Sequence, residues 1–195
     1  MARVNSASRE ITAKIVYYGP GLCGKTTNLE KVHEHVDPRS RGRLFSLQTD
    51  QDRTLLFDMM PLEAGKIKGF TLRFQLYTVP GQVYYNASRK QVLQGVDGIV
   101  FVADSNSSRL EANVESMQNL YDNLAELNLD PDKIPMVIQY NKRDLPGAMA
   151  VETMEDQLNP DGVPAWQAVA IRGVGVFETL GEIMRNVTDH LKRTL

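Results

Sequence analysis

The sequence predicts an α/β fold, a mostly parallel central sheet with helices on both faces, in one domain spanning residues 1–195. Three observations carry that prediction. Short apolar runs rich in β-branched residues alternate with longer segments of helical period. A glycine-rich loop follows the first such run directly. No repeat, low-complexity tract or Ser/Gly linker divides the chain. At 195 residues, 42% of them hydrophobic, the chain is long enough to form a core without a metal or disulfide staple.

The elements follow in order. Residues 10–18 read as a first strand and 25–35 as a helix. Residues 54–60 and 71–78 read as a strand pair around a turn at 65–69, where two glycines lie. Residues 98–104, Gly-Ile-Val-Phe-Val-Ala-Asp, form the next strand. Residues 109–127 form a helix with Leu110, Val114, Met117, Tyr121, Leu124 and Leu127 on one stripe, and Ser108 with Glu111 makes a capping box at its start. Residues 135–140, 165–170 and 176–195 supply strand, strand and closing helix. Ligands of such a sheet bind at the carboxyl ends of its strands.

Charge and cysteine content narrow the function. Lys and Arg number 22 against 24 Asp and Glu, so the chain lacks the basic excess of a phosphate-tracking nucleic-acid binder. One cysteine, Cys23, excludes an intramolecular disulfide and fits a reducing cytoplasm. No signal segment, membrane span or lipidation motif is recognisable, which predicts a cytoplasmic protein without a membrane anchor of its own. His33, His35 and His190 lie on helical segments without metal spacing and are expected at the surface.

Gly19-Pro20-Gly21-Leu22-Cys23-Gly24-Lys25-Thr26 satisfies Gly-x-x-x-x-Gly-Lys-Ser/Thr. In such a P-loop the backbone curls so that N–H groups from Gly19 to Thr27 face phosphate oxygens, helped by the positive end of the helix that starts near Lys25. Lys25 would reach the β- and γ-phosphates and the Thr26 hydroxyl would ligate Mg²⁺. The same octet contains Gly-x-Gly-x-x-Gly, but the Lys-Thr pair has no role in dinucleotide binding and no acidic residue ends a second strand at the spacing ribose needs. Cys23 inside the loop is either a redox-sensitive thiol or a small side chain that fills space.

Asn141-Lys142-Arg143-Asp144, at the end of a strand, is Asn-Lys-x-Asp. The Asp144 carboxylate would accept two hydrogens from the guanine edge, a pattern adenine does not offer. Asn141 would tie this loop to the phosphate loop, and the Lys142 stem would cover one face of the base. A wrong base leaves buried polar groups unpaired, which makes such a site selective. Downstream, Val169-Ala170-Ile171 stands where guanine-nucleotide proteins usually carry Ser-Ala-Lys, so that the Ala170 N–H would donate to guanine O6 and Ile171 would supply an apolar wall. The alternative there is an ordinary strand-to-helix connection.

These motifs, with Arg9-Glu10-Ile11, Asp52-Arg53-Thr54-Leu55, Tyr77-Thr78-Val79-Pro80-Gly81-Gln82-Val83 and Asn86-Ala87-Ser88-Arg89-Lys90, resemble the small Ras-like GTPases of the MglA type, bacterial regulators of cell polarity and gliding motility. The resemblance covers nearly the whole chain and implies a P-loop Ras-like fold with a short N-terminal extension. It implies a GTP/GDP switch using Mg²⁺, monomeric by itself, partnered by a roadblock-type MglB-like GTPase-activating dimer and polarity effectors at a cell pole. It also implies roles: Gly81 donates its N–H to the γ-phosphate, Gln82 positions the attacking water, and Arg53 acts as an internal arginine finger alongside Lys25. For Arg53 the alternative is a surface ion pair with Asp50 or Asp52. Thr54, or failing it Thr49, is the first-switch threonine that meets Mg²⁺. The family's Asp-x-x-Gly is replaced by Thr78-Val79-Pro80-Gly81. Either Thr78 holds the Mg²⁺ water, or Asp58 in the run Leu55-Leu56-Phe57-Asp58-Met59-Met60 substitutes; otherwise Asp58 lies on a half-exposed edge strand and faces water. A guanine-nucleotide-dependent adaptor with negligible hydrolysis fits the binding motifs equally, whereas an ATP-using kinase conflicts with Asp144. Met59, Met60, Tyr84 and Tyr85 flank the switch segments and divide between core packing and partner contact.

Overall fold

The computed structural model describes residues 2–48, 54–81 and 85–194. Eight strands and five helices follow the alternation of the sequence: β1 (Arg3–Asn5), β2 (Glu10–Tyr18), α1 (Lys25–His35), β3 (Phe45–Gln48), β4 (Thr54–Ile67), β5 (Phe70–Thr78), α2 (Asn86–Leu93), β6 (Gly98–Asp104), α3 (Leu110–Glu126), β7 (Met136–Asn141), α4 (Val151–Leu158), β8 (Ala165–Gln167) and α5 (Val176–Thr194). The strands form one sheet in the order β3-β4-β5-β2-β6-β7-β8. β5, β2, β6, β7 and β8 are parallel, while β3, β4 and the short β1 pair antiparallel with their neighbours.

Each face of the sheet is closed by its own helices. On one side Leu29 and Val32 of α1 and Val176, Leu180, Ile183, Val187 and Leu191 of α5 pack on Ile15, Tyr17, Val100 and Val137. On the other, Val92 and Leu93 of α2, Met117, Leu120 and Leu124 of α3, and Met154 and Leu158 of α4 cover Val16, Tyr18, Phe101 and Ile138. β6 is buried along its whole length because it lies between the two cores. Among the described residues no helix is long and apolar enough to cross a membrane.

Several elements differ from expectation for identifiable reasons. The turn between β4 and β5 is at Lys68–Gly69, and Gly65 sits instead in β4 where the register shifts between Glu63 and Lys66. The Ser108–Glu111 box does not form: a 3₁₀ turn, Ser107–Arg109, precedes α3, and the Asn106 side chain accepts from the Ser108 N–H instead. The buried face of α3 is rotated, with Asn113, Ser116, Leu120 and Asn123 inside and Val114 39% exposed. The strand over 165–170 ends at Gln167 because the chain turns into a 3₁₀ turn, Ala170–Arg172.

A pair of amides fastens α1 to the sheet. Asn28 and Gln139 exchange hydrogen bonds of 2.8 and 3.0 Å, and Gln139 also donates to the Thr179 hydroxyl on α5 at 2.9 Å. All three residues are fully buried. Removing one partner strands the others, at about 1–3 kcal/mol per unpaired buried group. Gln139→Ala is therefore expected to lower stability by about 3 kcal/mol in urea denaturation, and Asn28→Leu/Gln139→Leu to lose less than the two single losses combined.

Candidate functional site

The loop between β2 and α1 is built around a buried lysine. Lys25 is 6% exposed and its Nζ donates to the carbonyls of Gly19 (3.0 Å) and Pro20 (2.7 Å). Burial lowers the Lys25 pKa from the usual lysine value; Cys23 opposes the shift and the Arg89 charge adds to it. Gly24 caps α1 with φ 103°, and a Cβ there would lie 2.2 Å from Asn141 Nδ2, so only glycine lets the loop sit this close. Cys23 is fully buried in the core, in agreement with the packing reading, while Leu22 is exposed and Thr27 half-buried on the first turn of α1.

Asp58 is fully buried, which overturns the reading in which it faces water. Thr26 Oγ1 donates to its Oδ2 at 2.6 Å, Thr78 Oγ1 donates to the same oxygen at 2.7 Å, and Ser46 Oγ donates to Oδ1. Thr78 Oγ1 in turn accepts from the Asp58 N–H at 2.9 Å. Strand register explains the meeting: Asp58 on β4 faces Ser46 on β3, and the next residue, Met59, pairs with Tyr77 on β5. A carboxylate and two or three hydroxyls form a hard-oxygen donor set of the kind that Mg²⁺ takes. Thr54 starts β4, about 13 Å along the extended strand from Asp58. Among the described residues no group of three or more His, Cys, Asp or Glu side chains is placed to hold a metal ion.

Gly81 lies directly against the phosphate loop. A Cβ on it would come within 2.3 Å of Gly21 Cα and 2.7 Å of Gly21 N. Arg53 and Gln82 lie outside the described residues, as do Thr49 and Tyr84. Of the remaining flanking residues, Met60 is core, while Met59 and Tyr85 are half-buried.

The base loop is joined to the phosphate loop as expected. Asn141, 2% exposed, donates from Nδ2 to the Cys23 carbonyl at 2.7 Å. Its Oδ1 accepts from the Ala170 N–H at 2.8 Å, and this corrects the expectation for Ala170. That N–H is already used inside the protein, and the next residue of the turn, Ile171, is 71% exposed. Val169 is held by a bridge to Val174. Lys142 adopts φ 65° and its Nζ donates to Asp104 Oδ2 at 2.7 Å, which fixes its stem beside the loop. The Asp144 carboxylate is open to solvent, with Arg172 at 3.8 Å.

Sequence reasoning missed Ser46 and two arginines. Arg109 donates to the Gly21 carbonyl at 2.9 Å, and Arg89 to the carbonyls of Pro80 and Gly81. Arg109 reaches across 88 positions and Arg89 across eight and nine, and no local motif marks either contact.

A P-loop and an Asn-Lys-x-Asp loop meeting at one sheet edge define a guanine-nucleotide site. The ADP-ribosylation factor family model matches residues 1–194. The chain belongs to the ADP-ribosylation factor family. It is 58% identical over 193 residues, 99% of each chain, to the mutual gliding-motility protein MglA of Myxococcus xanthus (strain DK1622). This ADP-ribosylation factor relative is thus a small Ras-like GTPase that binds GTP and GDP. In it, Asn141→Ala leaves the Cys23 carbonyl and the Ala170 N–H without partners. The expected result is a stability loss of about 2–3 kcal/mol and at least tenfold weaker binding of a fluorescent GDP; unchanged affinity would mean that the loops are held independently.

Proposed function

We propose that the chain is a Mg²⁺-dependent GTP/GDP switch of bacterial cell polarity and gliding motility, acting in the cytoplasm and recruited to a pole by protein partners. Its likeness to a gliding-motility protein supports the process. A roadblock-type MglB-like dimer is the proposed activator. The observation that carries the Mg²⁺ reading is the buried Asp58 carboxylate, 2.6 Å from the Thr26 hydroxyl. With the Thr26 hydroxyl donating to this carboxylate, the Thr26 oxygen and Asp58 stand side by side where they could take the place of the aspartate that Thr78 replaces.

Thr26 and Asp58, with Thr54, would hold Mg²⁺, whose positive charge would offset the negative charge that develops on the phosphates. The protein's own groups do the rest. Lys25 reaches the β- and γ-phosphates, and the backbone amides of Gly21 to Thr27 cradle them. The Gly81 N–H meets the γ-phosphate, with Thr54 closing from the other switch. Gln82 orients the water for in-line attack, and Arg53 neutralises charge on the transferring phosphoryl. Asn141, Lys142 and Asp144 hold guanine, together with the turn at Val169, Ala170 and Ile171.

Replacing Asp58 with Asn preserves shape and removes the charge. The Mg²⁺ concentration that half-retains GDP is expected to rise at least tenfold in Asp58→Asn, measured by release of a fluorescent GDP against Mg²⁺; an unshifted curve would exclude Asp58 from the metal site. An arginine finger contributes ~10³–10⁵ in rate. Arg53→Ala is expected to lose at least a hundredfold in single-turnover hydrolysis with the activator present, and a rate within a few-fold of the parent would return Arg53 to a surface role.

A further inference from the structure

Arg89 on α2 is 1% exposed and among the largest fully enclosed side chains of the protein. A buried guanidinium ordinarily faces a carboxylate, because an unpaired charge away from water is costly. Arg89 has none among the described residues. Its Nε donates to the Pro80 carbonyl at 2.9 Å, Nη2 to the Gly81 carbonyl at 2.6 Å and Nη1 to Asn119 Oδ1 at 2.7 Å, and its central carbon lies 5.2 Å from the centre of the Tyr18 ring. Carbonyl dipoles and a ring face hold the cation without cancelling it.

The surroundings of Arg89 leave it little freedom. Asn119 Oδ1 also accepts from the Tyr18 hydroxyl at 2.6 Å, and its Nδ2 donates to Asn86 Oδ1 at 3.0 Å. Asn123 donates to Asn86 and to Tyr18. The guanidinium is therefore braced by α2, α3 and the end of β2 together. In a trans peptide the C=O and the following N–H point in opposite directions. With the Pro80 carbonyl drawn to Arg89, the Gly81 N–H faces away from it, and Gly81 is packed on Gly21 of the phosphate loop. The charge of Arg89 is also felt at Lys25, where it adds to the lowering of that pKa, so two buried cations serve one anionic site.

We propose that Arg89 is a positioning residue that aims the Gly81 N–H at the γ-phosphate, and that its uncompensated buried charge biases the site toward GTP over GDP. The proposal rests on the reading of Gly19 to Thr26 as the phosphate loop. GTP carries one more phosphoryl group than GDP, and that additional negative charge is what a buried cation on the Gly81 side would favour. Asn119 supports the arrangement by holding Nη1.

The test uses the full chain with Mg²⁺, a fluorescent GDP and a fluorescent non-hydrolysable GTP analogue. Arg89→Gln is expected to keep GDP affinity within threefold of the parent and to lower the GTP-over-GDP preference at least tenfold. Arg89→Lys, which keeps the charge but not the three-pronged grip, is expected to restore part of that preference. Asn119→Asp sets a carboxylate against Nη1, cancelling the charge while keeping that hydrogen bond at the cost of the one to Asn86, and should lower the preference about fivefold in protein that remains folded. A folded Arg89→Gln with a preference within twofold of the parent overturns the proposal. If Arg89→Gln does not fold, an unchanged preference in Asn119→Asp overturns it instead. Parent protein that binds neither nucleotide removes the phosphate-loop reading itself, whereas parent binding with unchanged variants removes only the role of Arg89.

Discussion

Two hydrogen bonds of the Asn141 carboxamide, one to the Cys23 carbonyl and one from the Ala170 amide, join segments separated by 118 and 29 positions in the chain. Each end of the amide has one use, so its orientation is set, and with it the spacing between the phosphate and base halves of the site. The strand pairing makes this possible. β7 runs parallel to β6 with Asn141 opposite Asp104, and Asp104 then receives the Lys142 ammonium. The register of one buried strand pair thereby places the tie between the loops and the stem that would cover the base.

Charge is sorted within the same sheet edge. Lys25 and Arg89 are buried cations that converge on the phosphate loop and on Gly81, whereas the Asp58 carboxylate is buried on the other side of Thr26. Three hydroxyls, from Thr26, Ser46 and Thr78, bring donors to Asp58, and the Lys25 charge is close enough to interact with it, so the carboxylate is tolerated in an apolar strand. An arrangement of this kind offers anionic oxygens a cationic wall and a divalent cation an oxygen corner, in contact through one threonine.

Those parts of the site that rest on local backbone geometry were legible from residues alone. The loop from Gly19 to Thr26 and the tetrad from Asn141 to Asp144 are short patterns whose spacing is the geometry, and strands β2 and β6 with helix α1 were legible to the residue from their apolar patterns. What depended on distant partners was not. A carboxylate in the run around Asp58 reads the same whether it faces water or hydroxyls from three other elements. The bond from the Ala170 N–H to Asn141 was not legible because a 3₁₀ turn, not an extended strand, carries that segment past Asn141. The polar face of α3 was missed because Asn113 and Asn123 are buried by bonds to the Asp104 backbone and to Tyr18, against the rule that core stripes are apolar. Helices α2 and α4 span only two turns each, too short for periodicity to announce them.

The contact between Gly81 and Gly21 gives these separate features one mechanical consequence. Neither glycine has a side chain to absorb movement, and a single added carbon on Gly81 would overlap the Gly21 backbone. A shift of the phosphate loop therefore bears directly on the Pro80–Gly81 peptides. Those peptides are gripped by Arg89, and Arg89 is braced through Asn119 against α3 and through the Tyr18 ring against β2. Displacement at the phosphates must then either break bonds to a buried guanidinium or carry α2 along with it.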